Sequence, residues 1–107
     1  RALATSADRE RLRDWRKAFA AALERARAAG HGAEIAREGA LLEPDAALGE
    51  VPIPNVDYRC RVIKLGAKTP GLLDYIAYPA FRCRIWAEGG AQRFAKLTGS
   101  QRPVGTI

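Results

Sequence analysis

The chain has little of what enzymes and metalloproteins most often use. Its 107 residues include one histidine and two cysteines, fewer side chains than the four ligands of a structural zinc site. His31, Ser100 and Asp74 form no recognisable catalytic triad, and no glycine-rich loop matches a phosphate-binding pattern. No run of about 18 apolar residues could cross a bilayer. The sequence therefore predicts a non-enzymatic protein with no cofactor, no bound metal and no transmembrane segment.

Positive charge is distributed unevenly along the chain. Residues 1–57 carry nine basic and ten acidic side chains, whereas residues 58–107 carry nine basic and two acidic ones. This asymmetry indicates an anionic partner for the C-terminal half, with a solvated basic surface as the alternative. The length is that of one domain.

The N-terminal residues predict a long helix. Thr5 and Asp8 have the spacing of a capping box. Apolar residues then recur every three or four positions to Ala26, and Gly30 is suited to end the helix. We expect Trp15 and Phe19 to dock the helix on a sheet, and His31 to be an exposed polar residue of the helix stop.

A short second helix is predicted from Ala33 to about Gly39, with Ile35 as its buried position. Alternating prolines then make residues 49–56 extended. We therefore divide the predicted domain into a helical layer at 1–48, an extended linker at 49–56 and an antiparallel sheet at 57–107.

Two five-residue segments share one pattern: aromatic, Arg, Cys, Arg, aliphatic. They are Tyr58–Val62 and Phe81–Ile85. Since alternate side chains of a strand point to opposite faces, each segment places its cysteine on one face and its arginines on the other. The pattern predicts a first strand at 57–65 and another at 80–87, paired antiparallel.

Cys60 and Cys83 lie at equivalent positions of these strands and are interpreted as a disulfide that closes a loop of 24 residues. A disulfide would place the protein in an oxidising compartment. Two buried thiols, a redox pair and metal ligands remain alternatives, although the cysteines lack the spacing of a redox motif.

Placing Cys60 opposite Cys83 would set Arg59 across from Arg84 and Arg61 across from Arg82. Four guanidinium groups on one face require either interleaved acids or a bound anion. Asp14, Glu24 and Glu88 are the candidate acids. The functional interpretation is an anion-binding face, and the alternative is four solvated arginines.

An apolar segment joins the two strands, and it could be a short strand, a helical turn or a lid that binds a partner. This candidate interaction loop contains Leu72, Leu73, Tyr75, Ile76 and Tyr78. Further strands are predicted at 93–98, with Phe94 and Lys96 on one side, and at 103–107. Because the last strand has no covered edge, we expect either a continuation beyond Ile107 or a second chain that completes the sheet.

Five longer segments form a further set of motifs: GHGAEI at 30–35, ALLEPDAAL at 40–48, DYRCRVIKLG at 57–66, YPAFRCR at 78–84 and KLTGSQRP at 96–103. Together they resemble the domain of unknown function 4893 family, a group of exported bacterial proteins. The resemblance implies a periplasmic or lipid-anchored envelope protein and supplies no catalytic residue.

Together these features predict an α+β fold: a long N-terminal helix and a short second helix packed on an antiparallel sheet, which could close into a barrel, with one disulfide. The hypothesis is a periplasmic domain that binds a protein or an anionic ligand. Alternatives are a structural subunit of an envelope complex and a basic nucleic-acid-binding module. The last is disfavoured because Tyr58 and Phe81 would lie on the face opposite the arginines.

Overall fold

A computed structural model describes residues 3–107 of the chain. The helical part comprises α1 (Ser6–Arg13), α2 (Trp15–Ala26) and α3 (Gly32–Arg37), followed by one 3₁₀ turn (Gly39–Leu42). The strands are β1 (Asp57–Cys60), β2 (Ile63–Leu65), β3 (Tyr75–Ala77), β4 (Phe81–Glu88), β5 (Ala91–Lys96) and β6 (Val104–Thr106). The predicted α+β class, with antiparallel sheets and one disulfide, is confirmed.

The residues form two compact units. The first unit contains residues 1–47 and 64–76, and the second contains residues 48–63 and 77–107. The chain therefore passes from one unit to the other three times.

In the first unit, the predicted capping box begins the helical region. The Thr5 hydroxyl accepts from the Asp8 amide at 3.1 Å, and the Asp8 carboxylate accepts from the Thr5 amide at 3.0 Å. A turn at Asp14 separates α1 from α2, a break that the continuous apolar pattern does not reveal.

The buried side of the helical region differs from the predicted stripe. Trp15 is 48% exposed, so its assignment as a buried anchor is wrong, while Phe19 is half-buried. The buried positions of α2 are Leu23 and Ala26, and α1 has none. Within α1 and α2, the buried positions thus lie toward the C-terminal end of α2, and Trp15 at its N-terminus is in contact with solvent.

Gly30 ends the long helical region as predicted. Its φ of 97° lies in the left-handed region, which a residue with a Cβ rarely adopts. His31 follows Gly30 and is half-buried, whereas the sequence predicted an exposed residue. Its ring stacks on buried Tyr75 at a centroid distance of 5.2 Å, and its Nδ1 lies 2.7 Å from a Glu34 oxygen.

The predicted first strand at 57–65 is two strands that belong to different sheets. β1 joins the four-stranded sheet, and β2 pairs with β3 in a two-stranded one. The aliphatic residues Val62, Ile63 and Leu65 continue the strand-like pattern past the break after Cys60, so the sequence does not reveal it. Helix α3, with buried Ile35, confirms the second predicted helix.

The four-stranded sheet has the order β1-β4-β5-β6, and it is open rather than closed into a barrel. β1 and β4, β4 and β5, and β5 and β6 are each antiparallel. Phe94 and Lys96 lie on one face, as predicted, with buried Cys83 and Ile85. This face is the core side of the sheet.

The extended segment at 49–56 is fixed to this sheet. The Tyr58 hydroxyl donates to the Pro54 carbonyl at 2.6 Å, and the Ile85 amide donates to the Val56 carbonyl at 3.1 Å. The Gln92 amide group donates both to the Ile53 carbonyl and to Asn55 Oδ1. Side chains of β1 and β5 and one backbone amide of β4 therefore hold a segment whose prolines have no amide to donate.

Candidate anion-binding face

Cys60 and Cys83 form a disulfide, as predicted, with their Cα atoms 6.1 Å apart. The register that was predicted from them is wrong by two residues. Cys60 lies opposite Phe81, and Cys83 lies opposite Tyr58, so the disulfide runs diagonally across the strand pair. Diagonal neighbours on one face are close enough for this bond, since disulfides span Cα distances of about 4.4–6.8 Å.

The shifted register changes which charged residues face one another. Arg59 lies opposite Arg82, and Asp57 lies opposite Arg84. These four residues share the face opposite the cysteines, and we call them the arginine face. Arg61 follows β1 and lies outside the paired positions. The predicted cluster of four facing arginines is therefore replaced by three arginines and one aspartate.

Asp57 is the interleaved acid of this face. Its Oδ1 accepts from Arg84 Nε at 2.6 Å, and its Oδ2 accepts from Arg84 Nη2 at 3.0 Å. Arg82 Nη2 adds a bond of 3.2 Å to Oδ2. Of the acids considered from the sequence, Glu88 lies 3.6 Å from Arg93 Nε, and neither Asp14 nor Glu24 bonds to these arginines within residues 3–107.

The paired arginines stabilise the ionised form of the aspartate. The hydrogen bond from Arg84 is the main cause that lowers the pKa of Asp57, and the bond from Arg82 lowers it further. The same interaction raises the pKa of Arg84. Asp57 consequently remains a carboxylate under all conditions near neutrality.

Arg59 has no comparable partner. Its side chain is exposed, and it makes no ion pair or hydrogen bond with any residue of 3–107. Since Asp57 serves Arg84 and Arg82, the positive charge at the Arg59 end of the face is not compensated. Arg59 and Arg82 are the pair that could both reach one anion.

A depression of about 470 Å³ lies at this end of the face. Asp57, Arg59 and Arg82 line it, together with Tyr58, Ala80, Phe81 and Thr98. The Thr98 hydroxyl accepts from the Arg82 amide at 3.0 Å, which fixes its oxygen beside the strand and leaves its own proton available as a donor. The depression thus combines two guanidinium groups with a hydroxyl.

The candidate interaction loop is partly a strand, in agreement with one of its three predicted alternatives. Tyr75 and Ile76 lie in β3, where Tyr75 is buried. Leu72 is 52% exposed and Leu73 is 62% exposed. Tyr78 follows β3 and is also exposed, and its amide donates to the Val62 carbonyl at 3.0 Å. The exposed leucines belong to the first unit and the arginine face to the second.

Metal-ligating side chains do not cluster in the part of the chain that is described: no three of its His, Cys, Asp and Glu residues lie close enough to share an ion. Among residues 3–107, no helix has the length and apolar character that spanning a bilayer requires.

Comparison with known proteins gives one match. A family model described as Domain of unknown function (DUF4893) matches residues 1–107, the whole chain. No curated protein and no solved structure matches.

Proposed function

The chain belongs to the family described as Domain of unknown function (DUF4893), and on that premise we propose that it is a non-enzymatic binding domain that recognises an anionic group through the arginine face. The anion is a phosphate or carboxylate group, either free or carried by a partner protein. Arg59 and Arg82 are the residues that bind it.

The observation that carries this proposal is the opposition of Arg59 and Arg82 in the β1–β4 register. Two like charges opposite one another on a sheet are destabilising unless an opposite charge joins them. Asp57 performs that task for Arg84 and Arg82, but Arg59 has no acid among residues 3–107. An anion between Arg59 and Arg82 would remove the repulsion.

The chemistry of the depression suits an oxyanion. Guanidinium groups present planar pairs of N–H donors that match carboxylate and phosphate geometry. The Thr98 hydroxyl would add a third donor. Because the site is exposed, we expect the affinity to fall as salt concentration rises.

An extracytoplasmic location is part of the proposal. The Cys60–Cys83 disulfide supports it, since disulfides persist in oxidising compartments and are rare in the cytosol. A periplasmic domain that binds an anionic partner is the role that accounts for both the disulfide and the arginine face.

The test is a titration of the oxidised protein with inorganic phosphate, and separately with succinate, followed by NMR of the arginine Nε–H groups. We expect saturable shifts at Arg59 and Arg82. Arg59→Gln should weaken binding about tenfold, the effect of losing one charged hydrogen-bonding group.

Arg27→Gln is the matched control, because Arg27 is exposed, unpaired among the described residues and located in the first unit. It removes the same charge and should leave the affinity unchanged. Equal weakening by both variants would show that binding depends only on net charge and would contradict the assigned site. An absence of saturable shifts in the unmodified protein would also overturn the proposal.

A further inference from the structure

A groove in the first unit is separate from the arginine face and has a different chemistry. Its volume is about 530 Å³, within the range of about 300–1,000 Å³ of small-molecule sites. On one side lies helix α2, and on the other lie residues 64–68 with Leu72. We propose that this groove binds an unbranched fatty acid, with its chain along α2 and its carboxylate at Lys64.

The floor of the groove is apolar and free of large side chains. Ala18, Ala21 and Ala22 of α2 line it at the spacing of one helical face. Leu65 and Leu72 supply the facing apolar surface. A floor of methyl groups that faces two leucines suits a slender hydrocarbon chain, whose transfer from water is favourable.

The chain after β2 packs against this floor. A Cβ at Gly66 would lie 3.4 Å from the Ala22 Cβ, an ordinary van der Waals distance, so the backbone at Gly66 lies next to α2. The Gly66 amide also donates to the Asp74 carbonyl at 2.9 Å. Gly66 and Ala22 therefore form adjacent parts of the groove wall.

Three cations also line the groove: Arg25, Lys64 and Lys68. Arg25 is already paired, since its Nη2 lies 3.4 Å from Asp74 Oδ1. Lys64 is half-buried and has no acidic partner in the part of the chain that is described. A partly desolvated lysine in the same groove as an apolar floor is complementary to a molecule with one negative head and an apolar tail.

A small amphiphile fits these features better than an acidic peptide. A peptide would bring backbone amides that need partners, and the Gly66 amide at the groove is engaged with Asp74. A fatty acid has a single polar group, which Lys64 satisfies, and the exposed Lys68 lines the same groove.

The test uses decanoate below its micelle concentration and the full oxidised protein, with the alanine methyl signals followed by NMR. We expect saturable shifts at Ala18, Ala21 and Ala22. Lys64→Gln should weaken binding about tenfold. Lys17→Gln is the control, because Lys17 is exposed on the same helix and does not line the groove.

Two further ligands separate the roles of chain and head group. Decanol lacks the charge and acetate lacks the chain, and both should bind much more weakly than decanoate. The inference is overturned if decanol binds as tightly as decanoate, if acetate does so, if the two lysine variants weaken binding equally, or if the three alanine signals do not move. Because no residue of the arginine face is involved, the phosphate titration can fail without affecting this result.

Discussion

Asp57 lies directly across the β1–β4 pair from Arg84 and accepts hydrogen bonds from two nitrogens of its guanidinium group. This pair occupies one end of the arginine face and draws Arg82 toward it by a third bond. Asp57 therefore acts as an internal competitor for any external anion at Arg82. Its removal should reveal how much of the face's positive charge it masks.

Asp57→Asn should strengthen phosphate binding several-fold, because it removes the carboxylate that shares Arg82 with the ligand. Isothermal titration calorimetry at low salt would measure the change. Asp45→Asn is the matched control: Asp45 is also exposed and accepts two bonds from one arginine, Arg16, but lies in the first unit. Phosphate affinity that is unchanged by Asp57→Asn would contradict the assigned competition.

Protonation of Asp57 should contribute to a loss of folding stability at acid pH. Its pKa is lowered in the folded protein, so the unfolded chain takes up more protons as pH falls below the ordinary aspartate value of about 3.9. The stabilisation is thus present above that value and is lost as pH falls through the folded pKa. Urea unfolding between about pH 5 and pH 2 should show a shallower decline for Asp57→Asn than for the unmodified protein. Parallel declines would be evidence against this coupling.

The disulfide should contribute strongly to the stability of the second unit. Cys60 and Cys83 are 23 residues apart, and closing a loop of this size stabilises a folded chain by roughly 3–4 kcal/mol. We expect the double variant Cys60→Ala, Cys83→Ala to unfold at a lower urea concentration. Dithiothreitol should shift the unmodified protein in the same direction and leave the variant unaffected. Oxidised and reduced protein with identical unfolding curves would refute the expectation.

Gly30 and Gly32 should respond in opposite directions to the same substitution. Gly30 has φ of 97°, so Gly30→Ala should destabilise by about 1–2 kcal/mol. Gly32 belongs to α3 with φ of −57°, so Gly32→Ala should stabilise by about 0.5–1 kcal/mol. An added Cβ would meet no atom within 4 Å at either position. Thermal unfolding of both variants would test this, and shifts of equal sign would show that backbone conformation does not dominate.

The sequence predicts the elements of this fold better than their pairing. The capping box at Thr5, the stop at Gly30 and the two Cys-bearing strands depend on local residue chemistry, and each lies where expected. Register depends on contacts between distant residues, such as the bond from the Ile85 amide to the Val56 carbonyl. A slip of two residues keeps every side chain on its predicted face, so alternation alone cannot detect it.

The acid of the arginine face was missed for the same reason. With Cys60 aligned to Cys83, Asp57 falls beyond Arg84, and distant acids had to be considered as partners. The two-residue shift brings Asp57 opposite Arg84 and leaves Arg61 outside the pairing. The available signal was Asp57 itself, an acid two residues before the first arginine of the motif. Only the observed register shows that it lies opposite an arginine.

Because the chain crosses between the units three times, segments of the two units alternate along the sequence. Residues 64–76 are an excursion from the second unit into the first, and Cys60 and Cys83 lie in sequence just outside its two ends. The disulfide therefore links covalently the two stretches of chain that lead into and out of residues 64–76. Each unit is built from two separate segments of the chain. A truncation at any single position therefore cannot yield one complete unit without part of the other.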